Sequence, residues 1–309
     1  MGDNKIKVGV LRGGEGKHYT FSLRKGGDII SHIFENLSGK YKTVDILIDK
    51  NGSWHLNGVP INPADLTHKV DVFWDTTRHP NISTILDNLS VPNIGNTSFL
   101  KILENNNNML QKHIKDVGIK MPRSILLPFY QKDFDGSIEK YVLRKAKEVF
   151  EKFSSPWVVK SFTPDSNMGI HLAKTFTELV DAIEDGVSHQ KSILVEEFIS
   201  GKVVSTHSVT DFRGKDIYVF PINNLFTGQV SLLTKEKEQI TSLVKSFHKH
   251  LAVKHYLKSD FILHPRRGLF LTNIDFLPDL RVGSHLEKSC EYVGAKKHHV
   301  IEHILNKAK

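Results

Sequence analysis

The sequence predicts a mixed fold: an α/β domain built on a parallel sheet, followed by α+β units. Three observations predict it. Strand and helix patterns alternate through roughly the first hundred residues, the order that builds parallel strands with covering helices. Further on, β-rich runs come as neighbours with helices between them. The 309-residue length exceeds one typical core and calls for two or three packed domains.

The elements follow in order. Lys7-Val8-Gly9-Val10-Leu11 is a short apolar run that exits into Gly13-Gly14, as a strand enters a loop. Ile29, Ile30, Ile33, Phe34 and Leu37 recur at helical spacing, and residues 44–48 form the next strand. Trp54 and Leu56 alternate ahead of Asn57-Gly58, the dipeptide that favours a tight hairpin turn. Residues 70–74 make a third strand and 82–89 a short helix. From 98 to 118 a helical pattern runs through Leu100, Leu103, Leu110 and Ile114, and Gly118 with Pro122 stops it. The asparagines at 105–108 are poor helix formers and break it in two. Pro156 to Lys160 is a strand, a polar loop over 161–167 leads to Gly169, and residues 170–173 form another strand. A helix around Leu179, Ala182 and Ile183 precedes the strand 193–195. The last section holds a helix striped by Ile240, Leu243, Val244, Phe247 and Leu251. Strands 259–264 and 269–275 meet at a turn over 265–268, and one final helix runs from about Ser284 to the end.

The net charge is +8, with basic residues spread along the chain. That suits solubility or small anions such as nucleotide phosphates. No zinc finger, RNP-type strand or helix-turn-helix pattern supports nucleic acid. No run of about 18 apolar residues predicts a membrane span, and the N-terminus shows neither a secretory leader nor a myristoylation pattern. One cysteine, Cys290, excludes an internal disulfide and reads as a half-buried helix residue. A cytoplasmic protein is expected. His299 and His303 stand four apart on the last helix, but without a third ligand they read as a solvated face.

Three segments carry chemistry. Asp260 lies on one strand of the C-terminal hairpin, and Asn273 and Asp275, two apart on the next, share a face. Oxygen side chains so placed suit a hard divalent ion, though they also fit polar strand ends. Lys160 ends a strand beside a Ser- and Gly-containing turn, where charge and backbone N–H groups meet phosphates; a solvated lysine is the plainer alternative. The run 194–201, LVEEFISG, is a buried strand turning acidic, placed to read an adenine edge or simply leaving the core.

In this order PWVVKS…SNMGI, ILVEEFISG, KSDFIL and LTNIDFLPDLRVGSHLEKS resemble consecutive blocks of D-alanine–D-alanine ligases. VGVLRGG and VPNIGNTSFLKILENNNNMLQKHIKDVGIKMP resemble the N-terminal blocks. The resemblance covers nearly the whole chain. It implies the ATP-grasp fold with an N-terminal Rossmann-like domain, divided as 1–97, 98–199 and 200–309. It also implies an ATP-dependent ligase that phosphorylates one D-alanine carboxylate and lets a second amine attack the acyl phosphate. Mg²⁺, with Mn²⁺ as an alternative, would hold the phosphates. A small amino-acid substrate, a link to peptidoglycan and no nucleic-acid or membrane partner follow, with a homodimer as an assembly the family allows.

Residue by residue, the resemblance gives Lys160, Ser166, Asn167 and Gly169 to the phosphates, and Glu196, Glu197 and Ile199 to adenine. It gives Asp260, Asn273 and Asp275 to the metal, and Ser284 to a substrate carboxylate. The sequence departs from the family's pattern in several places. The bridging metal glutamate is Asn273 and the metal asparagine is Asp275. An ATP lysine falls at Asn108, with Lys112 one helical turn on, and the ribose glutamate falls at Val203. The oxyanion arginine is Lys258, and the glutamate that meets the first ammonium is His18. The HGxxGEDG block is reduced to DTTRHP, and the loop after Pro221 is short. These changes leave two alternatives beside the D-alanine reaction: a ligase for another amino-acid pair, and a non-catalytic nucleotide-binding protein.

Overall fold

The computed structural model describes residues 5–16, 18–162, 168–222 and 232–308. The chain forms two compact units: Met1–Lys120 with Lys202–Leu263 and Leu271–Lys309, and Met121–Gly201 with His264–Phe270.

The first unit opens with β1 (Ile6–Gly13), α1 (Tyr19–Leu37), β2 (Tyr41–Ile48), β3 (Trp54–Leu56), β4 (Val59–Pro60), β5 (Val72–Asp75), α2 (Pro80–Asn88) and β6 (Asn93–Ile94). The sheet order is β4-β3-β2-β1-β5-β6. Strands β2, β1, β5 and β6 run parallel, as the alternating pattern predicts. Asn57 and Gly58 both take positive φ, 52° and 80°, which closes the expected tight hairpin. Helix α1 lies close on the sheet because Gly26 has no side chain; a Cβ there would stand 2.6 Å from Arg12 Cβ. The following helix does break at the asparagines: α3 (Ser98–Glu104) ends at Asn105, and the Asn106 side chain caps α4 (Asn107–His113) through Met109 N at 3.0 Å.

The second unit contains β7 (Ser124–Leu127), α5 (Tyr130–Asp133), α6 (Ile138–Lys152), β8 (Trp157–Ser161), β9 (His171–Ala173), α7 (Phe176–Ser188) and β10 (Ile193–Glu197). Its antiparallel sheet is ordered β7-β10-β8-β9. Helices α6 and α7 bury Tyr141, Val149, Leu179 and Ile183 with Trp157, Val159 and Val195 of the sheet in one core. Helix α6 is an element the sequence reading leaves unassigned, although Tyr141, Lys145 and Val149 form a buried i, i+4 row.

The chain then continues with β11 (Lys202–Thr210), β12 (Ile217–Val219), α8 (Thr234–His250), β13 (Tyr256–His264), β14 (Gly268–Asp275), α9 (His285–Tyr292) and α10 (Lys297–Lys307), which belong to the first unit except for His264–Phe270 at the β13–β14 turn. Their sheet runs β12-β11-β13-β14. Val8, Val10 and Trp74 of the first sheet share a core with Val209, Tyr256, Leu286 and Ile301. The expected single final helix is two helices. Gly294, at φ 66°, ends α9, with Ala295 N on Cys290 O at 2.9 Å and Gly294 N on Glu291 O at 3.0 Å, the Schellman pattern. Cys290 is fully buried rather than half-buried, and burial pushes its thiol up to about 12. Among the described residues no helix is long and apolar enough to cross a membrane.

Candidate functional site

In the first unit, one sheet face collects the polar groups. Antiparallel register places Ser205 opposite Asp260 and His207 opposite Lys258. Directly opposed residues share a face, and residues two apart on a strand share it too. Tyr256, Lys258 and Asp260 therefore line one side of β13, with Ser205 and His207 beside them on β11. Asp260 is the hub: it accepts from Ser205 Oγ at 2.6 Å, Lys258 Nζ at 2.9 Å and Asn273 Nδ2 at 3.2 Å. Asp275 caps its own turn through Leu277 N at 3.0 Å and faces Arg78 Nη2 at 3.4 Å. Arg78 also pairs with Glu104 at 3.0 Å and lies over the Phe21 ring. Burial pushes the Glu104 carboxyl up, against the pull of Arg78.

The other residues singled out in this unit stand apart from the hub. Ser284 is the N-cap of α9: its hydroxyl donates to Asp279 O at 2.9 Å and accepts from Glu287 N at 3.3 Å. His18 is the residue before α1 and is half-buried. Lys112 is exposed in the last turn of α4, and Val203 is exposed on β11. Of the two histidines on the last helix, His299 is exposed, as expected, whereas His303 is half-buried. His299 Nδ1 accepts from Lys296 N at 3.1 Å, and His303 Nε2 bonds Thr210 O at 2.8 Å.

In the second unit, Lys160 and Glu196 stand on the paired strands β8 and β10 and form an ion pair at 2.5 Å. Glu197 is held by Arg267 Nη1 at 2.6 Å and Arg123 Nε at 3.0 Å. Burial works against its charge, but the two arginines outweigh it and hold the carboxyl below its ordinary value. Ile199 is buried two residues past β10, and Gly169 is exposed ahead of β9. Ser166, Asn167 and most of the loop after Pro221 lie outside the described residues.

The donor set on the hairpin suits Mg²⁺: two carboxylates and an amide offer hard oxygens, and Asn273 lies against Asp260. Lys258 and Arg78 now neutralise the two carboxylates, contacts that a divalent ion would replace. Sequence reasoning missed Ser205, His207, Tyr256, Arg78 and His285. Its available signal was the alternation in 202–210, KVVSTHSVT, which puts Ser205 and His207 on one side once that run is read as a strand.

A family model described as "D-ala D-ala ligase C-terminus" matches residues 114–306. The D-alanine--D-alanine ligase of Christiangramia forsetii is 22% identical, over 94% of this chain and 94% of that protein. The one from Fervidobacterium nodosum is 24% identical, over 97% and 98%. Among solved structures, the VanG D-Ala:D-Ser ligase from Enterococcus faecalis aligns with a TM-score of 0.71 at 17% identity, covering 99% of this chain and 100% of that one. The D-alanine--D-alanine ligase from Bacillus anthracis complexed with ATP aligns with a TM-score of 0.68 at 18% identity, covering 99% and 97%. The fold is ATP-grasp, as expected from the sequence.

Proposed function

The chain belongs to the D-ala D-ala ligase family, and we propose that it joins a carboxylate to an amine at the expense of ATP, through an acyl phosphate. The observation that carries this reading is the polar cluster on β13 and β14: Lys258, Asp260 and Asn273 stand together, half-exposed or exposed, within the stretch matched by the family. Such chemistry asks the protein for position and charge more than for covalent participation. ATP is a substrate here. Its terminal phosphoryl group moves to the acid's carboxylate, the amine attacks the acyl carbon and loses a proton, and phosphate leaves as the amide forms.

Each residue has a part in that scheme. Lys160, aimed by Glu196, meets phosphate oxygens. Glu197 and Ile199 shape the strand that receives the adenine. Lys258 faces the oxyanion that develops at the acyl carbon, as a single ammonium rather than a two-point guanidinium. Asp260, Asn273 and Asp275 would hold Mg²⁺, which when bound neutralises phosphate charge. Replacing Lys160 with Ala is expected to weaken ATP binding by about 1.5–3 kcal/mol, the scale of a hydrogen bond to a charged group. Calorimetry on the folded variant checks it, and an unchanged affinity removes Lys160 from the phosphate site. ATP binding with neither phosphate release nor ligated product, across a panel of amino acids, would instead favour the non-catalytic alternative.

The amino-acid pair is a separate question, and His18 favours a pair other than two D-alanines. A neutral imidazole offers no net negative charge to an ammonium, and an imidazolium repels it. D-alanyl-D-alanine synthesis by the unaltered protein is therefore expected to fall well below about 10 per second, a median enzyme turnover. His18→Glu is expected to raise it. A carboxylate before α1 also favours the helix dipole, so the comparison is made on product formation and not on stability. Turnover near that median by the unaltered protein overturns the argument.

A further inference from the structure

A cavity of about 510 Å³ lies in the first unit, where α1 meets the turn between α9 and α10. His32 of α1, Glu287 and Glu291 of α9, and Lys296, Lys297 and His298 at the start of α10 line it. None of these residues has a part in the ligase scheme.

His32 presents a donor there. It is 9% exposed, and its Nε2 is buried with no hydrogen-bond partner among the described residues. Asn36 Nδ2 donates to His32 O at 3.1 Å and meets His32 Nδ1 at 3.5 Å. That amide nitrogen is a donor, so Nδ1 accepts and the ring carries its proton on Nε2. Burial, followed by the charges of Lys297 and His298, holds the ring at about 4, which keeps it neutral near pH 7 with a single N–H. A buried N–H calls for an acceptor. Glu287, the acid that acts on this ring, is committed elsewhere: Oε1 to Lys297 Nζ at 2.9 Å and Oε2 to Gly283 N at 2.5 Å.

The start of α10 presents two more. Its N-cap is Lys296, whose side chain caps no backbone N–H, and the first turn holds no acid. His299 N bonds Lys296 O at 3.0 Å, but the N–H groups of Lys297 and His298 meet no acceptor among the described residues. Lys296, Lys297, His298 and His299 together place four basic side chains at the positive end of the helix dipole. Such an end attracts anions and disfavours cations. Of the lining acids, Glu287 is paired with Lys297, and only the exposed Glu291 opposes an anion.

The geometry points to a phosphate-type oxyanion in this cavity, seated on Lys297 N, His298 N and the Nε2–H of His32, with Lys296 at the rim. Three donors from two helices exceed the two oxygens of a carboxylate and match the three terminal oxygens of a phosphate group. The cavity leaves room for an organic portion beyond the phosphate. The site holds whether or not the chain is a ligase.

The test uses the full chain, with inorganic phosphate and glycerol phosphate as probes. In proton–nitrogen correlation spectra, a probe that binds should move the His32 ring signals and the Lys297 and His298 amides together, with His32→Gln assigning the ring. Signals that stay in place up to about 10 mM of both probes overturn the site. Tighter binding of glycerol phosphate assigns the cavity to a phosphorylated organic molecule, and tighter binding of inorganic phosphate assigns it to the free ion. Affinities of variants are read at the two amides. His32→Phe keeps a ring without the N–H and should weaken the tighter probe about tenfold, whereas His32→Gln keeps an N–H and should stay within about threefold. Lys296→Asp puts an accepting side chain at the N-cap, where it takes the His298 N–H for itself. It should hold or raise the melting temperature yet cost about tenfold in affinity, while Glu291→Gln should gain about threefold. Lys296 is exposed, so its variant decides the matter should His32→Phe not fold. Unchanged affinity in Lys296→Asp, or equal affinities in the two His32 variants and the unaltered protein, overturns the proposal.

Discussion

Acidification from pH 7 to pH 5 is expected to lower the unfolding temperature of this protein steeply, with protons taken up as it unfolds. Five histidines carry the effect. Burial holds His32, His248, His255 and His285 at about 4, and His207 well below its ordinary value. For a base whose folded value is depressed, the unfolded chain binds more protons between the two values. Stability is therefore full above about pH 6.5, the unfolded histidine value, and falls as pH drops toward 4. His248 shows the physical cause. It is 1% exposed, with Nδ1 on Ser208 Oγ at 2.8 Å and Nε2 on Thr210 Oγ1 at 2.9 Å. Its share alone amounts to at most about 3 kcal/mol over that window. Calorimetry at pH 5.5 in buffers of different ionisation enthalpy should find an uptake approaching about five protons on unfolding. Uptake of one proton or fewer would show that these rings already carry charge in the folded state.

A comparable loss is expected from Lys101→Ala. Lys101 and Asp75 form an ion pair with side chains 3% and 1% exposed. Lys101 also donates to His79 O at 3.2 Å, and Asp75 accepts from Thr77 N at 2.8 Å and Thr77 Oγ1 at 2.6 Å. Removing the lysine leaves a carboxylate in the interior with only the Thr77 contacts, a change that costs about 3–5 kcal/mol. Asp75→Asn combined with Lys101→Met removes both charges and should recover much of that loss, because breaking a buried pair is worse than replacing it. Chemical denaturation of the two variants checks the pattern. A loss below about 1 kcal/mol in Lys101→Ala would place the pair in contact with solvent.

Periodicity and turn chemistry were legible in the chain itself. The strand–helix alternation foretold the parallel strands β2, β1, β5 and β6, Asn57-Gly58 foretold its hairpin, and the asparagines foretold the break between α3 and α4. These features are local: they depend on backbone preferences over a few residues. The same locality explains the misreading at Gly294, since a single glycine inside an apolar helical pattern does not announce whether the backbone turns left-handed there.

Site chemistry divided along a similar line. The same-face placement of Asn273 and Asp275 follows from the two-residue period of a strand, and Lys160 at a strand end was visible as such. Their partners were not. That Asp260 takes three donors, that Glu197 is held by arginines 74 and 70 residues away, and that Arg78 joins Glu104 to Asp275 are matters of register and packing between distant segments. The contacts of His207 with Tyr256 and His285 belong to the same class. They need β11 and β13 in one antiparallel register and α9 over their shared face. Local order along the chain sets which face a side chain occupies, whereas its hydrogen-bond partner, and hence the position of its proton, is chosen only when segments far apart in sequence are brought together out of water.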